Sequence, residues 1–232
     1  MADEVDKNKN KKNKKDLDDL SIKCKVVLIG KSGVGKTSII LRYNTNKFRE
    51  TLTSTLGANL ITKNVYFPQY KKTIKFEIWD TAGQERFRAL AKLFYNNASA
   101  CILVYDITFR ESFEDIKNIW IPEIRENSQE DLILAIAGNK SDKYEDEQVK
   151  DDEGKALAKE INAIYMRTSA KLNSSIDEMF NSIGNKFLNP NLEIKSNLTK
   201  EEIIEQSEQL LREKIKLNNI NKNKNKTQKK CC

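Results

Sequence analysis

The sequence predicts an α/β domain built on a six-stranded, mostly parallel sheet with helices on both faces. Three observations lead there. From Lys23 onward, short β-rich runs alternate with longer helix-patterned runs, the order expected when crossover helices return the chain to parallel neighbours. One pair of runs, 60–67 and 74–80, is joined by a short connection containing Pro68; that is too short for a crossover and predicts an antiparallel hairpin. The polar excess lies at the two Lys- and Asn-rich ends, so a chain of 232 residues with 38% hydrophobic content reads as one domain with tails.

Taken in order, strands are expected at 23–29, 60–67, 74–80, 100–106, 133–138 and 165–169. Helices fall between them at 36–44, 88–96, 112–127, 151–161 and 175–188. Residues 1–22 form a disordered extension, 23–189 the domain and 190–232 a tail, where character changes after Asn189-Pro190. Within the tail, Ile203, Leu210 and Leu217 recur seven apart with Ile204 and Leu211 beside them. That spacing makes one apolar stripe on a helix over 199–217.

The net charge of +7 raises the question of a nucleic-acid partner, and its distribution answers it. Residues 1–22 hold six Lys and six acids, which cancel, whereas 216–230 hold six Lys and no acid. The near-neutral body argues against nucleic acid and for a localised basic tail. The start, Met1-Ala2-Asp3-Glu4, lacks the apolar run of a signal peptide, and Ala2 replaces the glycine that myristoylation needs. Stretches such as 100–105 and 132–137 are too short to span a bilayer. Cys24 and Cys101 sit in apolar strand runs and read as core; with no histidine in the chain, Ser-His-Asp and Cys-His nucleophilic sites are excluded.

The chemistry begins at Gly30-Lys31-Ser32-Gly33-Val34-Gly35-Lys36-Thr37, which matches G-x-x-x-x-G-K-[ST] between a strand and a helix. Its glycines let backbone N–H groups of Ser32 to Ser38 turn toward phosphate oxygens at the positive end of the helix. Lys36 supplies a point charge for the β- and γ-phosphates, and the Thr37 hydroxyl is suited to Mg²⁺. This motif establishes a nucleoside triphosphate but not its base. Asn139-Lys140-Ser141-Asp142 follows the apolar run that ends at Gly138, at a strand's C-terminal end. An aspartate there accepts from guanine N1–H and the exocyclic amine, a pairing adenine cannot offer.

Together with Thr55, Asp80-Thr81-Ala82-Gly83-Gln84-Glu85 and Ser169-Ala170-Lys171, these motifs make the chain resemble the Ras superfamily, and within it the Rab branch, over about 23–189. The resemblance implies a small G domain of the P-loop GTPase class that binds GTP and GDP with Mg²⁺. It implies that Phe48 packs on the base edge, that Thr55 closes on Mg²⁺ and the γ-phosphate, and that Asp80 holds Mg²⁺ through water. Gly83 would donate to the γ-phosphate, and Ala170, between Ser169 and Lys171, to the guanine oxygen. Gln84 would orient the attacking water, with Lys36 taking up developing charge. Segments 45–60 and 81–95 would order with GTP, and effectors would read the state through 45–60 and 73–95.

The same resemblance makes Cys231-Cys232, after Lys229-Lys230, a doubly geranylgeranylated end, and the basic tail would add attraction to an anionic leaflet. It implies a monomer served by an exchange factor, an activating protein, a GDP-dissociation inhibitor, an escort protein and effectors. It places the protein on the cytoplasmic face of endosomal or other intracellular membranes, with a cytosolic pool, regulating vesicle traffic. The segments 41–43, 47–48, 55–58 and 75–80 resemble the early-endosomal Rab subgroup. Two residues depart from the pattern: Ser32 stands where Ras proteins carry glycine, and Leu60 where the subgroup carries an aromatic beside Trp79 and Phe94. A GTP-loaded membrane scaffold with little useful hydrolysis is the alternative reading; a small-molecule P-loop kinase fits less well, because it would not need Asn139-Lys140-Ser141-Asp142.

Overall fold

The computed structural model describes residues 21–52, 55, 58–81, 94–129 and 131–191. Most of the expected extension, Gly83, Gln84, the start of the 88–96 helix, the 199–217 helix and Cys231-Cys232 lie outside the described residues.

Six strands form one sheet: β1 (Ile22–Ile29), β2 (Ala58–Phe67), β3 (Lys72–Thr81), β4 (Ala100–Asp106), β5 (Ile133–Asn139) and β6 (Ile164–Arg167), in the order β2-β3-β1-β4-β5-β6. The β2–β3 pair is antiparallel and every other pair is parallel. The hairpin turns through a 3₁₀ turn at Pro68–Tyr70, closed by Lys71 in the left-handed region at φ 52°. Pro68 suits this turn because its fixed φ fits the first position and no ladder needs its N–H.

The helices are α1 (Lys36–Thr45), α2 (Arg110–Asp115), α3 (Ile121–Asn127), α4 (Asp151–Glu160) and α5 (Ile176–Leu188). Strand alternation divides the apolar residues between two cores. On β1, Cys24, Val26 and Leu28 face α1 and α5, meeting Ile39, Ile40, Tyr43, Met179, Phe180 and Ile183. Val27 and Ile29 face the other layer, with Phe113, Trp120, Ile124 and Leu157. The mostly apolar runs of β1, β4 and β5 thus follow from a sheet covered on both faces.

Two expectations are corrected in detail. The single helix expected over 112–127 is α2 and α3 joined by a π-turn at Ile116–Trp120. Pro122 lies in the first turn of α3; it has no N–H to donate back, and widening the preceding turn accommodates its ring. The last strand stops at Arg167 rather than Ser169. Thr168 still donates to the Gly138 carbonyl at 2.9 Å, but Ser169 pairs with Ser174 in an isolated antiparallel bridge, which turns the chain across the mouth of the site.

Candidate functional site

The sheet changes winding direction between β1 and β4, and ligands of open α/β sheets bind at the carboxyl ends of strands beside such a switch. A cavity of about 440 Å³ opens there. It is lined by the predicted residues Ser32, Gly33, Gly35, Lys36, Thr37, Ser38, Phe48, Thr55, Asn139, Lys140, Asp142, Ala170 and Lys171. Val34, Asp80 and Ser169 stand behind this lining: Val34 is fully buried, and Asp80 and Ser169 bond to residues that line the wall.

Three glycines of the loop from β1 to α1, Gly30, Gly33 and Gly35, take positive φ, and two of them also leave no room for a side chain. Gly30 has φ 148°, and a Cβ there would collide with the Val104 carbonyl on β4. Gly35, at φ 98°, caps α1, and a Cβ there would strike the Asn139 side chain. Lys36 is 5% exposed and donates to the carbonyls of Gly30 at 2.7 Å and Lys31 at 3.0 Å. Burial draws its pKa down to about 8, partly opposed by the Asp80 carboxylate.

Beside Lys36, Thr37 Oγ1 donates to Asp80 Oδ2 at 2.8 Å and lies 2.8 Å from Thr55 Oγ1, which itself donates to the same oxygen at 3.4 Å. Asp80 ends the inner part of β3 at 2% exposure, and its pKa is raised by burial, with the Thr37 bond and Lys36 acting the other way. Its Oδ1 is buried without a hydrogen-bond partner among the described residues. Two hydroxyls and a spare carboxylate oxygen form the all-oxygen donor set that Mg²⁺ accepts when phosphates and water complete its shell.

At the far wall, Asn139 is 1% exposed and braces both halves of the site. Its Nδ2 donates to the Val34 carbonyl of the phosphate loop at 2.8 Å, and its Oδ1 accepts from Thr168 Oγ1 at 3.2 Å. Lys140 takes φ 63° and pairs with Asp106 at 2.6 Å. Ser169 Oγ donates to Asp142 Oδ1 at 2.6 Å and accepts from the Leu172 N–H at 3.0 Å, so one hydroxyl fixes the carboxylate and the loop beside it.

Thr81, of the Asp80-Thr81-Ala82-Gly83-Gln84-Glu85 motif, also lines the cavity. So do Arg49, Glu50, Leu52 and Lys143, and Asp106 anchors Lys140, although none of these was singled out from the sequence. Asp106 had a signal, a carboxylate closing the apolar run of β4; the others carry no motif. Leu60 sits opposite Trp79 in the hairpin at 49% exposure, and Trp79 meets Phe94 at a ring-centroid distance of 5.3 Å.

The model of the Ras family matches residues 25–189. The chain belongs to the Ras family. As such it is a small GTPase, hydrolysing GTP to GDP and phosphate. It is 46% identical over 169 residues to the Ras-related protein RabJ of Dictyostelium discoideum, covering 73% of this chain and 65% of RabJ. It is 44% identical over 163 residues to the Ras-related protein Rab-22A of Homo sapiens, covering 70% of this chain and 82% of that protein; the Mus musculus protein matches to the same extent. The chain thus spans just under two thirds of RabJ and more of Rab-22A, and within the Ras family it is a GTPase of the Rab type, a class of membrane-traffic regulators. Among the described residues, no helix is long and apolar enough to cross a membrane.

Proposed function

We propose that this small GTPase works as a timed switch in vesicle traffic at endosomal membranes, recruiting effectors while GTP occupies the cavity. One observation carries the reading: a single cavity holds a phosphate end, Lys36 and Thr37, and a base end, Asp142 fixed by Ser169. The backbone N–H groups from Ser32 to Ser38 surround the phosphates, and Lys36, already desolvated, exchanges two carbonyl partners for phosphate oxygens. Asp142 accepts from the guanine amine and N1–H, Ala170 donates to the guanine oxygen, and Phe48 covers the base edge.

Thr37, Thr55 and Asp80 would hold Mg²⁺, which when bound neutralises charge on the phosphate oxygens. Hydrolysis is in-line attack by water on the γ-phosphorus; the bond to the β–γ bridging oxygen breaks and the electron pair leaves with GDP. Gln84 orients the water, Gly83 donates to the γ-phosphate, and Lys36 stabilises charge gathering on the leaving oxygen. The Thr55 hydroxyl lies within bonding distance of Thr37 and Asp80, so loss of the γ-phosphate removes a reason for segment 45–60 to stay closed.

The Rab-22A likeness supports the endosomal assignment, and Trp79, Phe94 and Leu60 supply an apolar surface for effectors in which the missing ring at Leu60 alters partner choice. An exchange factor, an activating protein, a GDP-dissociation inhibitor and an escort protein complete the cycle, and two lipids on Cys231 and Cys232 with the Lys-rich tail hold the switch on its membrane. The test is single-turnover hydrolysis with preloaded GTP. Gln84→Leu is expected to bind GTP as wild type does while hydrolysis falls at least about tenfold; unchanged hydrolysis would remove Gln84 from the mechanism.

A further inference from the structure

Arg42 lies on α1 six residues beyond Lys36, and the mechanism above gives it no task. Its side chain nevertheless reaches the base end of the cavity. Nε donates to the Ala170 carbonyl at 2.8 Å and Nη2 to the Lys171 carbonyl at 3.0 Å. Nη1 donates to the Asn46 carbonyl at 2.7 Å, with Asn46 Oδ1 at 3.4 Å. One planar cation therefore ties the end of α1 to two successive carbonyls of the loop at 169–171. Asn173 adds a second tie, donating from Nδ2 to Asn46 Oδ1 at 3.3 Å.

These ties bear on a single N–H. Ala170 is held from its N-terminal side by Ser169, whose hydroxyl bonds to Asp142 and Leu172, and from its C-terminal side by Arg42. With both flanks fixed, the Ala170 N–H has little freedom to turn away from the cavity it lines. A neutral donor would serve less well, because hydrogen bonds from a charged guanidinium are shorter and roughly twice as strong. We infer that Arg42 is a specificity-positioning residue, which aims the Ala170 N–H at the 6-oxo group of guanine. This rests on the guanine reading above.

The experiment compares dissociation constants of GDP, 6-thio-GDP and IDP for the full chain, with ADP as the control for base recognition. Sulfur at position 6 is a weaker acceptor for the Ala170 N–H, while IDP lacks the 2-amine and reports on Asp142. Arg42→Ala is expected to shrink the preference for GDP over 6-thio-GDP by about three- to tenfold and to leave the GDP-to-IDP ratio unchanged. Arg42→Lys keeps the charge and the stem but not the fork, and is expected to lose the same discrimination. Equal weakening toward all three nucleotides, or a full 6-oxo preference in Arg42→Lys, would overturn the assignment. A wild-type protein with no preference for GDP over ADP would instead overturn the guanine reading itself.

Discussion

Lys36 is 5% exposed, its ammonium rests on two backbone carbonyls, and burial lowers its pKa to about 8. Phosphate oxygens favour the charged form, so binding raises this pKa back toward the ordinary lysine value and the protein takes up a proton. The sign follows: affinity for GDP holds below about pH 8 and weakens as the pH rises past it, because the free site has by then lost the proton it must regain. Calorimetry at pH 8 in two buffers of different ionisation enthalpy should show an uptake of about half a proton per nucleotide. No uptake, with affinity flat between about pH 7 and 9, would mean that Lys36 stays charged in the free protein.

Among the elements, α5 fixes α1 from behind. Phe180 stacks on Tyr43 with ring centroids 3.8 Å apart and an interplanar angle of 11°, and meets Phe76 of β3 edge-on at 5.9 Å. The same α1 carries Lys36 and Thr37 at its first turn and Arg42 near its last, so packing at its back sets the position of three residues at the site. Phe180→Ala removes a fully buried ring from this contact and should cost about 3–5 kcal/mol of stability. Urea denaturation of the GDP-bound protein would show a lower midpoint with an unchanged slope if the cost is lost packing alone.

Across the whole molecule, the folded domain builds the site, and the proposed function leaves the address to the tail. Replacing Cys231 and Cys232 by serine is expected to move the protein from the membrane pellet to the supernatant in fractionated cells, because basic residues alone give weak, salt-sensitive attraction. Persistence in the pellet after a salt wash would show that another part of the chain anchors it. The division into strands, helices and hairpin was legible because periodicity and turn chemistry are local: Pro68 marks the hairpin, and Gly30 and Gly35 mark the phosphate loop. The motif residues were legible for the same reason. The π-turn before Pro122 was not, since a proline two residues into a helix and one inside a longer helix share the same apolar pattern. The roles of Arg42 and Asp106 were not legible, because they depend on partners 128 and 34 residues away along the chain.

The spare oxygen of Asp80 reaches beyond catalysis. A buried carboxylate oxygen with no hydrogen-bond partner among the described residues, beside a lysine whose pKa burial has lowered, makes the pocket without nucleotide an expensive state to maintain. Whatever fills that pocket acts on the lifetime of the whole polypeptide, since a ligand bound only by the native state adds stability that grows with the logarithm of its concentration. The melting temperature should therefore climb steadily with added GDP and magnesium and fall on chelation. In a cell, an exchange factor that empties the site would have to shelter the fold until new nucleotide arrives, or deliver the chain to chaperones and proteases.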